Sequence, residues 1–313
     1  MKKIFWILPC LAGLFASCAD DEGFTKQENS VPLQVNTYVT DSRAMISGTA
    51  LPDKASLGIT LVENKEDATK YDGLTAGYYN IEYKASGEKP NQTWTAVDTP
   101  IYLSATDGKA VAYYPYNINE NDYKALTISA MNQVDYLYSG WVKPISNSNP
   151  DATFEMKHAM TGIRIRLKKG SYTAAGTVKE IRISSTAFGT EGKLDASTGK
   201  ITNVTVGEVN SYMMRPAFEQ FALNTDYYLS TLLMAVPIDN TTGNVMIKVG
   251  VDDKQYEAEG LMNSPFLKGN IYTFELTLNN TALQVSNEVS VSPWVEDDSS
   301  ASTGNGGVLS PIP

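Results

Sequence analysis

Side chains that commonly carry out catalysis or bind metals are few in this sequence. It contains one histidine, His158, and two cysteines, Cys10 and Cys18. A zinc site of the Cys/His type needs about four such ligands, and a Cys-His catalytic pair needs a partner for each member. No metal and no other cofactor is therefore predicted. We interpret His158 as a packing or hydrogen-bonding residue, because the sequence identifies no partner for it as a general base.

Acidic residues are abundant, but nothing singles out a catalytic pair among them. The chain has 35 Asp and Glu residues against 25 Lys and Arg, for a net charge of −10. Two neighbouring pairs, at residues 252–253 and 297–298, lie in an expected turn and in the tail, without the spaced oxygens of a calcium loop. No basic patch is present, so nucleic acid is not an expected partner. We predict that the protein is not an enzyme.

The 18 tyrosines and four tryptophans allow two interpretations. Aromatic residues commonly fill sandwich cores and cover sheet faces. An exposed aromatic platform that stacks against sugars is the alternative.

The first residues, "MKKIFWILPCLAGLFASC", have the features of an export signal. Lys2 and Lys3 precede an apolar run at residues 4–16, which is too short to span a bilayer. Ala16 and Ser17 then lead to Cys18 in an arrangement that resembles a bacterial lipobox, with a signal peptide at residues 1–17 and a lipid on Cys18. The alternative is an ordinary signal peptide cut near Ala16.

Residues 18–30 are polar and predict a flexible tether. Asp20, Asp21 and Glu22 resemble the surface-export signal of Bacteroidota lipoproteins. A plain solvated linker is the alternative.

A strictly alternating segment follows at residues 31–39, "VPLQVNTYV". Val31, Leu33, Val35 and Val39 share one face with Thr37, as in a half-buried strand of roughly 30 Å. Burial of the four aliphatic side chains contributes about 6–12 kcal/mol gross. Arg43 comes shortly after this strand and is the first arginine in the chain; the next is Arg164.

Many short strands with turn residues between them follow and predict an all-β protein of two tandem sandwiches. In the second half, Ile163, Ile165 and Leu167 are expected to point inward, as are Ile181 and Ile183. The polar segment "SNSNPDA" at residues 146–152 is the expected linker. We therefore expect an N-terminal sandwich at residues 31–147, a C-terminal sandwich at residues 148–296 and a mobile tail at residues 297–313.

Together these segments resemble the Bacteroidota fimbrillin family, the type V pilins. The segments that carry the resemblance, in order along the chain, are the lipobox ending at Cys18, the first strand followed by "TDSRA", "LGITL", "WTAVDTPIYLS", "VAYYPYN", "DYLYSGW", "FEMKHAMTGIRIRL", "KGNIYTFELTLNNTALQVS" and "VSPWVE".

The resemblance implies two transthyretin-like Greek-key sandwiches and a way of assembly. A lipoprotein precursor reaches the outer membrane through the lipid on Cys18. An arginine-specific protease then cuts after Arg43, and Ala44 becomes the new N-terminus. The first strand, with Val31, Leu33, Val35 and Val39, is removed. A strand from another pilin subunit fills the groove and builds a cell-surface fimbrium, which adheres to a host or bacterial ligand.

The C-terminal residues leave the role in the fibre open. The family's stalk subunits donate a strand from this region. Here "EVSVSPWV" alternates well, whereas "GGVLSPI" is short and contains Pro311, which cannot donate a backbone hydrogen bond. These C-terminal residues are therefore consistent with a tip or accessory position as well as with a stalk position. The alternative function is a surface lipoprotein that binds glycan or a host ligand without polymerising.

Overall fold

The computed structural model describes residues 30–41, 44–49, 51–74, 77–87, 92–210, 221–226 and 228–294. Within these ranges the regular structure is strand, apart from one turn of 3₁₀ helix at Ala130–Asn132, and no helix there is long and apolar enough to cross a membrane. The strands enclose two separate hydrophobic cores, which confirms the all-β prediction of two sandwiches. The predicted signal peptide, Cys18, most of the tether, Arg43 and the tail at residues 297–313 lie outside the described residues.

The N-terminal sandwich is built mainly from one nine-stranded sheet. Its strand order is β3-β2-β12-β10-β8-β4-β5-β6, with β11 also paired to β8, and a two-stranded sheet pairs β1 with β7. Although β2 and β6 lie far apart in this order, they touch each other, so the sheet curls around its core. The strands are β1 (Val31–Pro32), β2 (Gln34–Asp41), β3 (Ala44–Thr49), β4 (Ser56–Glu63), β5 (Tyr78–Ser86), β6 (Thr93–Ala96), β7 (Tyr102–Leu103), β8 (Gly108–Tyr114), β10 (Leu137–Tyr138), β11 (Val142–Ile145) and β12 (Asp151–His158).

The C-terminal sandwich has an eight-stranded and a five-stranded sheet. The first has the order β16-β15-β19-β13-β22-β23, with β24 paired to β22 and β9 to β15; the second has the order β17-β14-β20-β21, with β18 paired to β14. The strands are β9 (Leu126–Ser129), β13 (Thr161–Lys169), β14 (Thr177–Ser184), β15 (Phe188–Leu194), β16 (Ile201–Val206), β17 (Val209–Asn210), β18 (Phe221–Ala222), β19 (Leu229–Pro237), β20 (Val245–Val251), β21 (Lys254–Gly260), β22 (Asn270–Leu278), β23 (Leu283–Val285) and β24 (Ser290–Pro293).

The predicted alternation holds in the second half. Ile163, Ile165 and Leu167 of β13 are fully buried, and so are Ile181 and Ile183 of β14. Residues that alternate in this way bury one face of a strand against the core.

The boundary between the sandwiches differs from the expected one. Strand β12, which we assigned to the C-terminal sandwich, pairs with β2 and contributes Ala152, Phe154 and Met156 to the N-terminal core. The segment expected to be a linker is instead a tight turn, closed by a bridge between Ser146 and Asn149. Polar residues and proline serve turns as well as linkers, so this composition did not distinguish the two.

One segment from the first half of the chain crosses into the C-terminal sandwich. Strand β9 pairs with β15, and the following turn holds Gln133, which is 3% exposed. The Gln133 side-chain Nε2 donates to the Met234 carbonyl (3.0 Å), while its Oε1 accepts from the Met234 N–H (2.7 Å). The side chain thus pairs with β19 as a short strand would, and it attaches the crossing segment to the second sandwich.

Replacing Gln133 with leucine keeps similar volume but leaves the buried backbone groups of Met234 unpaired. We expect the change to lower the free energy of unfolding by about 2–4 kcal/mol, measured by urea denaturation. Gln284→Leu, at an exposed position of β23, is the control and should change it little. Equal effects of the two substitutions would contradict this role of Gln133.

Candidate functional site: the first strand and its groove

The first strand lies along the edge of the N-terminal core with one face buried. Leu33, Val35 and Val39 are 5%, 8% and 3% exposed, whereas Val31 is half-buried. The side chains of the opposite face are exposed, and they are Pro32, Gln34, Asn36 and Tyr38. Burial of the three fully covered side chains contributes about 5–9 kcal/mol gross, an upper value because the unfolded chain already hides part of this surface.

The strand crosses from one sheet to the other at Leu33, where we had expected a single uninterrupted strand. Before this residue, Val31 and Pro32 pair with β7. Leu33 itself donates its N–H to the Ile101 carbonyl at 2.9 Å, and the Gln34 N–H goes to the Pro150 carbonyl at 3.0 Å. The first strand therefore hydrogen-bonds to both sheets of the sandwich.

Beyond the crossing, β2 lies between two neighbours. It runs parallel to β12, with the register Gln34 to Asp151 through Val39 to Met156. On its other side it pairs antiparallel with β3, where Asp41 is opposite Ala44. Strand β3 has no second neighbour in the sheet order of the described residues. Removal of the first strand would therefore leave β12 with a free edge and β3 without its ladder.

The position of the predicted cleavage site follows from the ends of these strands. Strand β2 ends at Asp41 and β3 begins at Ala44, so the peptide bond after Arg43 leads directly into β3. Arg43 and Cys18 are outside the described residues, so their predicted roles in cleavage and lipidation remain predictions.

A buried tyrosine fixes the wall of the groove. Tyr83 is only 2% exposed. Its hydroxyl accepts a hydrogen bond from the Ile101 N–H at 3.1 Å. The carbonyl of the same Ile101 accepts from Leu33. Burial raises the pKa of Tyr83 to about 12. No local pattern pointed to Tyr83, because its partner Ile101 lies in an irregular segment.

His158 has the packing role that we expected, and the structure supplies its partner. Its Nδ1 lies 2.8 Å from Oδ2 of Asp135, and its ring stacks on Trp294 with centroids 5.1 Å apart. The ring is buried at the end of β12, next to the second sandwich. We find no group of three or more His, Cys, Asp or Glu residues placed to hold a metal ion in the described part of the chain.

The acidic pair at residues 252–253 stabilises a turn between β20 and β21. The Asp252 carboxylate accepts from the Thr177 N–H (2.9 Å), the Gly176 N–H (3.1 Å) and the Tyr172 hydroxyl (2.8 Å). These hydrogen bonds lower the pKa of Asp252, and the one from the Thr177 N–H has the largest effect. Its contacts are those of a structural residue.

The sequence model of the fimbrillin-like family matches residues 42–294. The chain belongs to the fimbrillin-like family. The match begins one residue after β2 ends, so the first strand lies outside it. A search of curated proteins found no match.

Solved structures show the same fold. A putative cell adhesion protein from Bacteroides uniformis aligns with a TM-score of 0.61 and 20% identity, over 85% of this chain and 100% of its own. One from Bacteroides ovatus aligns with a TM-score of 0.60 and 19% identity, over 86% and 99%. One from Parabacteroides distasonis aligns with a TM-score of 0.50 and 8% identity, over 85% and 98%.

Membership in this family indicates that the chain is a fimbrial subunit at the cell surface and that it associates with other pilin subunits. It also supports a structural rather than an enzymatic role.

The role of Tyr83 in the groove can be tested through pH. Neutral tyrosine is favoured in the folded state, because its pKa is raised from 10.0 to about 12. Its contribution to stability is therefore complete below pH 10 and is lost as the pH rises toward 12. Tyr83→Phe should lower the free energy of unfolding at pH 7 by about 1–3 kcal/mol, since the Ile101 N–H loses its partner.

The same substitution should weaken the loss of stability between pH 10 and 12, followed by urea denaturation across this range. Part of the loss will remain, because burial also raises the pKa values of Tyr113 and Tyr123 to about 12. Tyr38→Phe, on the exposed face of β2, is the control. An unchanged alkaline profile in Tyr83→Phe would exclude Tyr83 as a source of it.

Proposed function

We propose that this protein is a fimbrial subunit that matures by cleavage after Arg43 and polymerises by strand exchange. The observation that carries the proposal is the position of the first strand. It fills a groove between β12 and β3, and it ends at Asp41, immediately before Ser42 and Arg43. A single cut after Arg43 thus separates the whole first strand from the rest of the fold.

The stabilising free energy that is lost with this strand favours assembly, because a strand from another subunit can restore it. Three aliphatic side chains leave the core, and the ladder of six residue pairs with β12 is lost. The edge of β12 would then present unpaired N–H and C=O groups, which readily accept another strand. A strand from another pilin subunit restores both the ladder and the apolar contacts, as in other cases of β-strand addition.

The same cut accounts for the move from membrane to fibre. We propose that Cys18 carries the lipid that holds the precursor on the outer membrane. Acyl chains contribute about 0.8 kcal/mol for each buried methylene, so two or more chains anchor a protein stably. Because Cys18 precedes Arg43 in the sequence, cleavage releases the subunit from its anchor at the moment when the groove opens.

The C-terminal strand β24 is part of this subunit's own fold. It pairs with β22, Asn270 opposite Pro293, and the next residue, Trp294, is 4% exposed. The segment "EVSVSPWV" could therefore serve as a donor only after leaving this sheet. The remaining donor candidate is residues 306–312, which lie outside the described residues. Both a stalk position and a tip or accessory position in the fibre are compatible with these observations.

Cleavage at Arg43 can be tested with the purified precursor and an arginine-specific protease. We expect the wild-type protein to yield a fragment beginning at Ala44 and then to form oligomers, seen by N-terminal sequencing and size-exclusion chromatography. Arg43→Ala should remain uncut at this position and monomeric, because the protease has no arginine to recognise.

Arg182→Ala is the matched control, since this arginine is held on β14 by Glu180 and Glu208; it should assemble as wild type does. Assembly of Arg43→Ala at the wild-type rate would refute the maturation step. Persistence of an uncut, lipid-bearing protein in cells would favour the non-polymerising surface lipoprotein instead.

A further inference from the structure

The outward face of β13 carries three basic side chains in line, which we call the basic row. Its members are Arg164, Arg166 and Lys168. They alternate with the buried aliphatic residues of the strand, so they point away from the core. Each is half-buried. Because the whole chain has a net charge of −10, three adjacent cations on one strand are a local exception.

The neighbouring strands bring little negative charge to the basic row. The positions directly opposite it on β19 and β22 are Leu232, Ser230, Thr273, Glu275 and Thr277. Of these, Glu275 alone is acidic, and its carboxylate accepts from Arg166 and from the Tyr228 hydroxyl. The Tyr228 ring lies 4.4 Å from the Arg166 guanidinium and 4.9 Å from the Lys168 ammonium, measured to the ring centroid. These cations are therefore held in place on a positively charged part of the face.

The last described residue, Trp294, lies at one end of the basic row. Its N–H donates to the Gly269 carbonyl at 2.9 Å. Its ring covers Gly162, which precedes Arg164 by two positions on the same face of β13. Atom Cζ3 of the ring stands 3.2 Å from the place that a Cβ of this glycine would take. The chain therefore leaves the described fold beside the first member of the row.

The residues that follow Trp294 have the complementary charge. They read "VEDDSS" at residues 295–300, with three consecutive acids at residues 296–298, which we call the acidic segment. In an extended chain, side chains two positions apart point the same way and lie about 6–7 Å from each other. Glu296 and Asp298 therefore repeat at the same spacing as the two arginines of the basic row.

We propose that the acidic segment binds the basic row of its own subunit. The first acid of the segment pairs with Arg164 and the third with Arg166, since a guanidinium can bind a carboxylate through two parallel hydrogen bonds. Ion pairs of partly exposed side chains are individually weak. The segment begins two residues after Trp294, however, and so short a tether gives an effective concentration of about millimolar. Its own subunit is thereby favoured over a second copy.

This contact fixes the start of the C-terminal tail against the second sandwich. The part of the tail that we expected to be mobile from residue 297 then begins at residue 299. The donor candidate at residues 306–312 lies beyond the contact and keeps its freedom to reach another subunit. The contact depends neither on cleavage at Arg43 nor on strand exchange, so its test is independent of the assembly experiment.

The test is cross-linking of the uncleaved protein with a water-soluble carbodiimide, which joins a carboxylate to an amine that touches it. Arg164→Lys and, separately, Arg166→Lys keep the positive charge and supply the amine. Monomer and dimer are separated on a denaturing gel, and mass spectrometry identifies the linked residues. We expect links from the acidic segment to each new amine in the monomer. Their yield should fall about five-fold between 0.1 M and 1 M NaCl, because the Debye length decreases from about 10 Å to about 3 Å.

Arg182→Lys is the matched control, because this arginine is bound by Glu180 and Glu208 on the other sheet. It should link to one of these two and not to the acidic segment. Absence of links from the acidic segment to both positions of the basic row, while this control links normally, would overturn the proposal. Links found only in the dimer would assign the basic row to a second copy instead, and equal yields at the two salt concentrations would exclude ion pairing as the cause.

Discussion

The N-terminal sandwich depends on a strand that hydrogen-bonds to both of its sheets. Through Val31 and Pro32 the strand pairs with β7, and beyond Leu33 it pairs with β12. Backbone groups beside a core need partners, because an unpaired group there costs as much as a lost hydrogen bond. The first strand provides these partners to β7 and to β12 at once. No other strand of the described residues pairs with both.

The two sandwiches respond differently to this constraint. None of the first-strand residues belongs to the C-terminal core, which is further stabilised by the crossing segment at β9 and by Gln133. Strands β12 and β13 connect the sandwiches through Ala159 and Met160, both fully buried. The C-terminal half can therefore stay folded if the N-terminal half loses its first strand, as the proposed strand exchange requires.

Residue patterns predicted which strands form and which faces are buried, as the alternation at residues 31–39 shows. They did not predict neighbours, because the parallel pairing of β2 with β12 joins residues more than a hundred positions apart. They also placed β12 in the wrong sandwich, since "SNSNPDA" has a composition common to turns and linkers. Gln133 and Tyr83 were missed because their importance comes from tertiary partners and not from any local period.

The first strand supplies hydrogen-bond partners to two parts of the N-terminal sandwich, β12 and the segment around Ile101. Amide hydrogen exchange, compared before and after cleavage at Arg43, tests this role directly. We expect β12 and the segment around Ile101 to lose protection in the cleaved monomer, while β13 and β22 keep it. A synthetic peptide of residues 30–41 should restore the lost protection. Unchanged protection of β12 after the first strand has been removed would show that this strand does not protect it.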